Sequence, residues 1–277
     1  MTRHQDVATQ TVDVGGTRFA YRDLGPRNGV PVIFLTHLTA VLDNWDPRVV
    51  DGIAAQRRVI TFDNRGVGAS EGTVPDSVEE MARDTIAFIT ALGLKEVDLL
   101  GLSLGGFVSQ SVAQQAPHLV RRMILAGTGP AGGTGIDKIT SLTIFDIIRG
   151  ALTFKDPKTY LFFTRTPNGR QAAKAFLARI EERTKGRDKP ISLAAIGRQL
   201  KAIKAFGLQR PADLSRITQP VLAVNGDHDR MVPTSNTRDL AKRLPNAELV
   251  IYEDGGHGAI FQYHEAFVAK ALAFLAA

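Results

Sequence analysis

The strongest constraint on the fold is the stretch PVIFLTHL, Pro31 to Leu38, which is apolar almost without a break. A strand with one face in water alternates polar and apolar residues. A strand that does not alternate is covered on both faces, as in a parallel sheet between layers of helices. The same pattern returns at Arg57 to Asp63, Glu96 to Ser103, Val120 to Gly127, Pro220 to Asp227 and Ala247 to Asp254. Helical signals fall between these runs. Ser77 and Glu80 have the spacing of a capping box, and Val78, Met81, Ala82, Ile86 and Ile89 recur at helical period before Gly93 closes the segment. The stretch from Phe107 reads as helix until Pro117 stops it. Ahead of all this, Thr11 to Gly25 alternates around Gly15-Gly16, which predicts a hairpin. Strands alternating with helices after an opening hairpin predict an α/β protein with a mostly parallel central sheet flanked by helices.

One segment breaks the rhythm. Between residues 131 and 210 the sequence offers helix-like stretches, including TSLTIFDIIRGALTF, RQAAKAFLARIEERTKG and SLAAIGRQLKAIKAFG, and no convincing strand. The expected organisation is therefore a core of residues 1–130 and 211–277 with a helical cap, 131–210, inserted between two strands. An insertion there lies over the carboxyl ends of the strands, where open α/β sheets bind ligands. Phe145, Phe154, Phe162 and Phe163 are candidates to line a pocket, Phe145 and Phe162 being preferred for substrate contact. For each, packing within the cap is the alternative role.

Composition removes several classes. The chain has 277 residues, enough for a large core, and no cysteine, which excludes disulfides, thiolate metal sites and a cysteine nucleophile. No apolar run approaches the roughly 18 to 20 residues that span a bilayer. The first residues lack the apolar centre of a signal peptide, so a cytoplasmic protein without a membrane partner is expected. The net charge of +6 is spread thinly, with pairs only at Arg57-Arg58 and Arg121-Arg122, so no nucleic-acid partner is expected.

The chemistry concentrates in LLGLSLGGFVSQ, Leu99 to Gln110. Gly101-Leu102-Ser103-Leu104-Gly105 is G-x-S-x-G placed between a strand and a helix, the arrangement of a nucleophile elbow. Small neighbours are needed because side chains there would strike the adjacent strand and helix. The Leu104 N–H, at the start of that helix, can donate to a developing oxyanion. A serine hydroxyl needs a base, and the base an orienting acid. Of the histidines, His4 lies near the start and His118 and His264 flank helices, all three reading as surface residues. His257, in DGGHGAIF after the last strand, is the candidate base. For the acid, NGDHDRMVP after the strand PVLAV offers Asp227 and Asp229.

With these residues in order, nearly the whole chain resembles the α/β-hydrolase superfamily, among its esterase, lactonase and cofactor-free haloperoxidase-like members. Gly226, Asp229, Val232 and Pro233 match that family's G-x-x-D-x-x-V-P pattern, which implies Asp229 as the acid. Ser103, Asp229 and His257 then follow in the family's order. Asp63 to Ser70, DNRGVGAS, is similar to its D-x-R-G-x-G-x-S loop, a structural element. The chain departs from the family at the third strand, where His-Gly-x is replaced by FLTHLTAVLDNW. Aligned without gaps, Thr36 takes the histidine's place, His37 the glycine's, and Leu38 supplies the second oxyanion N–H. Aligned on the histidine, the donor is Thr39. The gap-free alignment, with Leu38 as donor, is preferred, and it puts His37 near the pocket floor, as a packed imidazole or as a substrate contact.

The resemblance implies a serine hydrolase, without cofactor or metal, that cleaves a small or medium carboxylic ester or lactone through an acyl-enzyme. Its partner would be a small-molecule substrate. Perhydrolysis or haloperoxidase activity and carbon–carbon bond hydrolysis use the same triad. A ligand-binding receptor with little turnover is the alternative of another class.

Overall fold

The computed structural model describes residues 2–277. Eight strands form one sheet in the order β1-β2-β4-β3-β5-β6-β7-β8. β1 (Gln10–Val14) and β2 (Thr17–Leu24) are the hairpin, and β2 pairs antiparallel with β4 (Val59–Phe62). From there β3 (Val32–Leu35), β5 (Val97–Leu102), β6 (Val120–Ala126), β7 (Val221–Gly226) and β8 (Ala247–Tyr252) all run parallel. The unbroken apolar runs account for this: β3, β4, β5 and β7 are buried at every residue. β8 departs from the expectation of a two-sided strand. It is the edge of the sheet, and Glu248 and Leu249 face solvent.

Helices flank the sheet. α1 (Pro47–Ala54) packs with the terminal α10 (His264–Ala276), while α2 (Val78–Ala91) packs with α3 (Leu104–Gln115). α8 (Thr234–Arg243) covers β7 and β8, and the single turn α9 (Ala259–Gln262) precedes α10. Half of the expected capping box forms at α2, where the Ser77 hydroxyl accepts from the Glu80 N–H at 3.3 Å. Aromatic pairs lock the layers: Phe62 stacks on Phe88 at 4.4 Å, and Phe34 meets Trp45 edge to face at 4.9 Å.

The segment between β6 and β7 folds as α4 (Ile139–Thr153), α5 (Lys158–Leu161), α6 (Pro167–Ile180) and α7 (Leu193–Gly207). Arg179 of α6 ties it to the core through the fully buried Asp46, at 2.6 Å. His4 is a correction to its reading as a surface residue. It is buried, and Arg183, just beyond α6, donates to the His4 carbonyl at 3.2 Å and holds it beneath the helical segment. No helix among the described residues is long and apolar enough to cross a membrane.

Candidate active site

The site begins where β5 ends. Ser103 has φ 56° and ψ −116°, a conformation that costs a non-glycine residue about 1–3 kcal/mol and persists only where its surroundings enforce it. They do so from three sides. The Ser103 N–H donates to the Ala126 carbonyl at 2.9 Å, while the Ser103 carbonyl accepts from the Thr128 hydroxyl at 3.0 Å and the Gly106 N–H at 2.8 Å. The glycines allow the crossing of strand and helix. A Cβ on Gly105 would stand 2.0 Å from the Leu35 carbonyl oxygen, and one on Gly101 2.4 Å from that of Gly105.

From the far side of the sheet comes the loop after β8. His257 is buried there, and its Nδ1 lies 2.8 Å from Asp229 Oδ2. The other oxygen of Asp229 accepts from the N–H groups of Met231 and Val232, at 2.8 and 3.0 Å, so the carboxylate is fixed before it meets the ring. A carboxylate partner on Nδ1 leaves Nε2 as the lone-pair nitrogen of the neutral ring. That nitrogen is buried and has no partner among the described residues. Asp227 is occupied elsewhere: it accepts from the Gly255 N–H at 3.2 Å and pairs with exposed His228 at 2.6 Å.

The loop after β3 supplies the third component. Beyond Leu35 the chain leaves the sheet, and Thr39 adopts φ 67°. The Thr39 N–H donates to Gln199 Oε1 of α7 at 2.9 Å. The N–H groups of Leu38 and of Leu104 have no acceptor among the described residues. His37 Nδ1 lies 2.8 Å from the Leu38 carbonyl and therefore carries the proton. Burial pushes the His37 imidazole down to about 3, against the raising effect of that carbonyl, so the ring is neutral. Its packing is edge to face with Phe162, ring centres 4.9 Å apart.

Ser103, His257, His37, Leu38 and Thr39 open on one cavity of about 210 Å³. Its other walls come largely from the helical segment: Ile147, Leu161, Phe162 and Ile196, with Met231 from the core. Asp156 and Lys158, paired at 3.4 Å, bring the only opposed charges to its wall among the described residues. Phe162 lines this cavity, packed against both His37 and His257. Phe145 does not. Thr143 and Ile147, one helical turn apart, face the cavity, whereas Phe145 points away, 60% exposed, over a separate groove beside Leu142. Phe154 is also outside, in solvent at the end of α4. Ile147, Ile196 and Gln199 carry no distinguishing signal in the sequence, since which face an inserted helix turns to a cavity depends on its tertiary packing.

The sequence profile described as alpha/beta hydrolase fold matches residues 30–262. The chain belongs to this family. Among alpha/beta hydrolases, a protein named Non-heme chloroperoxidase from Streptomyces lividans is 30% identical, over 94% of this chain and 96% of its own. An alpha/beta hydrolase fold protein from Chitinophaga pinensis superposes with a TM-score of 0.93 at 40% identity, covering 99% of both chains. The enol-lactonase from Burkholderia xenovorans shares the fold, with a TM-score of 0.77 at 20% identity over 97% of this chain and all of that one.

Proposed function

We propose that this alpha/beta hydrolase cleaves a small or medium carboxylic ester or lactone by way of a Ser103 acyl-enzyme. One observation carries the reading: His257, held by Asp229 on one nitrogen and unpartnered on the other, shares a cavity with a strained serine. Ser103 Oγ attacks the acyl carbon as His257 Nε2 takes its proton, and Asp229 stabilises the imidazolium that forms. The carbonyl oxygen becomes an oxyanion facing the unengaged N–H groups of Leu38 and Leu104. Donors fixed in advance need no reorganisation, which is why such a site accelerates the step. Collapse breaks the bond to the leaving alkoxy oxygen, and His257 returns the proton to it. In a lactone that oxygen stays tethered to the acyl group. Water, deprotonated by His257, then attacks the acyl-enzyme and releases the acid and free Ser103.

Residues 131–210 act in this reading as a cap, because their side chains form most of the apolar wall. A cavity of about 210 Å³ suits a short or branched acyl group. The test is hydrolysis of p-nitrophenyl esters of increasing chain length, and of simple lactones, beside Ser103→Ala. Turnover lost in the variant supports the assignment. Absence of turnover on every ester and lactone, with Ser103 inert to a fluorophosphonate, overturns it.

A second reading is favoured by the relative named Non-heme chloroperoxidase. Hydrogen peroxide in place of water would release a peracid from the same acyl-enzyme, with the same proton transfers. Halide oxidation that requires both peroxide and a carboxylic acid or ester, and that vanishes in Ser103→Ala, would identify it.

A further inference from the structure

The loop that offers the Leu38 N–H is built without the glycine that such a turn ordinarily uses. Thr39 instead takes φ 67°, which is unfavourable for a β-branched residue. A flip of the peptide between Leu38 and Thr39 would return that φ to the ordinary range. It would also exchange the N–H and C=O dipoles of a peptide whose two residues both line the cavity. Two side chains oppose the flip. His37 donates from Nδ1 to the carbonyl of this peptide at 2.8 Å, and Gln199 Oε1 accepts from its N–H at 2.9 Å. The one peptide group is gripped at both ends.

Gln199 is fully buried, and its Nε2 has no partner among the described residues. A leucine there would bury no unpaired donor, so the amide is retained at a cost that its Thr39 contact must offset. The orientation of the amide is also fixed, because turning it over would set N–H against N–H.

We propose that Gln199, together with His37, is a positioning residue for the oxyanion loop: the pair pins the Leu38–Thr39 peptide and through it fixes the backbone of Leu38, whose own N–H, on the preceding peptide, stays available to the reacting carbonyl. The inference rests on the function proposed above. It also makes α7, in the segment between β6 and β7, a structural part of the oxyanion site, which is then complete only when that helix is seated. His37 accordingly acts as a brace.

The experiment compares Gln199→Met, which removes the acceptor at similar length, with Gln199→Glu, which keeps an acceptor oxygen in either protonation state. A mispositioned donor is felt in the transition state, so Gln199→Met is expected to lower kcat about 10- to 100-fold with KM within about twofold. Affinity for a trifluoromethyl ketone, which forms the tetrahedral adduct, should fall by a similar factor. Gln199→Glu should restore kcat to within about threefold of wild type, whereas His37→Phe should reproduce the loss. Amide hydrogen exchange reads the pin directly: Thr39 should be protected in wild type and Gln199→Glu and labile in Gln199→Met. A rise in KM at constant kcat, or Gln199→Glu no better than Gln199→Met, overturns the proposal. If wild type hydrolyses nothing, the proposed function fails and exchange judges the pin alone. Equal Thr39 exchange in both variants would then overturn it.

Discussion

At Gly105 a single methyl group decides whether sheet and helix can meet. Its Cβ would lie 2.0 Å from a backbone oxygen of β3, and backbone cannot rotate away as a side chain can. Gly105→Ala is therefore expected to destabilise the fold by about 3 kcal/mol, the upper end for overpacking. Chemical denaturation measures it, and a midpoint equal to wild type would mean that β3 and α3 shift freely. Asp229 offers a finer distinction. In Asp229→Asn the amide oxygen can still accept from Met231 and Val232, but its NH₂ group then faces His257 and favours the wrong tautomer. The expected outcome is a loss in kcat of about 10³- to 10⁴-fold with the fold intact. Asp227→Asn, whose contacts lie at the surface turn, should leave kcat within about threefold of wild type. Equal losses in the two variants would show that the carboxylate at 229 has no special role.

At the scale of an element, α4 shows how helical phase divides one segment between two environments. Thr143, which is buried, and Ile147, which is 40% exposed, line the cavity, while Ile144, Phe145, Ile148 and Leu152 are exposed away from it. Phe145→Ala should leave kcat/KM for every ester unchanged. Phe162→Ala removes a buried ring that abuts both His37 and His257. It is expected to cost about 3–5 kcal/mol in stability and to shift the preferred acyl chain to a longer one. Comparing the two variants across the ester series checks both claims, and an unchanged preference in Phe162→Ala would remove that ring from the pocket wall.

For the whole molecule, burial of neutral histidines sets the response to acid. Burial, helped by the nearby positive charge of Arg22, holds His4 down at about 3, and burial does the same to His37. The unfolded chain takes up these protons near the ordinary value of 6.5, so it binds more protons than the folded chain once the pH falls below that value. Stability is thus fully present above 6.5 and is lost as the pH falls toward 3, by about 1.4 kcal/mol per pH unit for each group at most. Asp63 works in the opposite sense. Buried beside Asp188, its carboxyl is pushed well above the usual carboxylate range, so its contribution declines as the pH rises. His4→Gln removes one acid-sensitive group remote from the cavity. Its denaturation midpoint should decline less steeply than that of wild type between about pH 6 and 4. Parallel curves would show that His4 does not stay neutral in the folded chain.

The sheet and the inserted helices were legible in the sequence because they rest on local signals, whereas the choice of Asp229 over Asp227 rested on the family resemblance. Apolar runs mark buried strands, the glycines mark the close crossing of β3, β5 and α3, and turn patterns mark the loops that carry Asp229 and His257. Lateral position carries no such signal. β8 has the composition of an inner strand and became the edge, and His4 lies near the chain's start yet became buried, because each outcome depends on which distant segment covers it. The cavity is of that second kind. Whether Phe145 or Ile147 faces it depends on the rotation of α4, and the state of the Leu38–Thr39 peptide depends on Gln199, 160 residues away in sequence. Backbone donors and acceptors are the same at every residue, so only the tertiary structure decides which of them a distant side chain engages and which it leaves free.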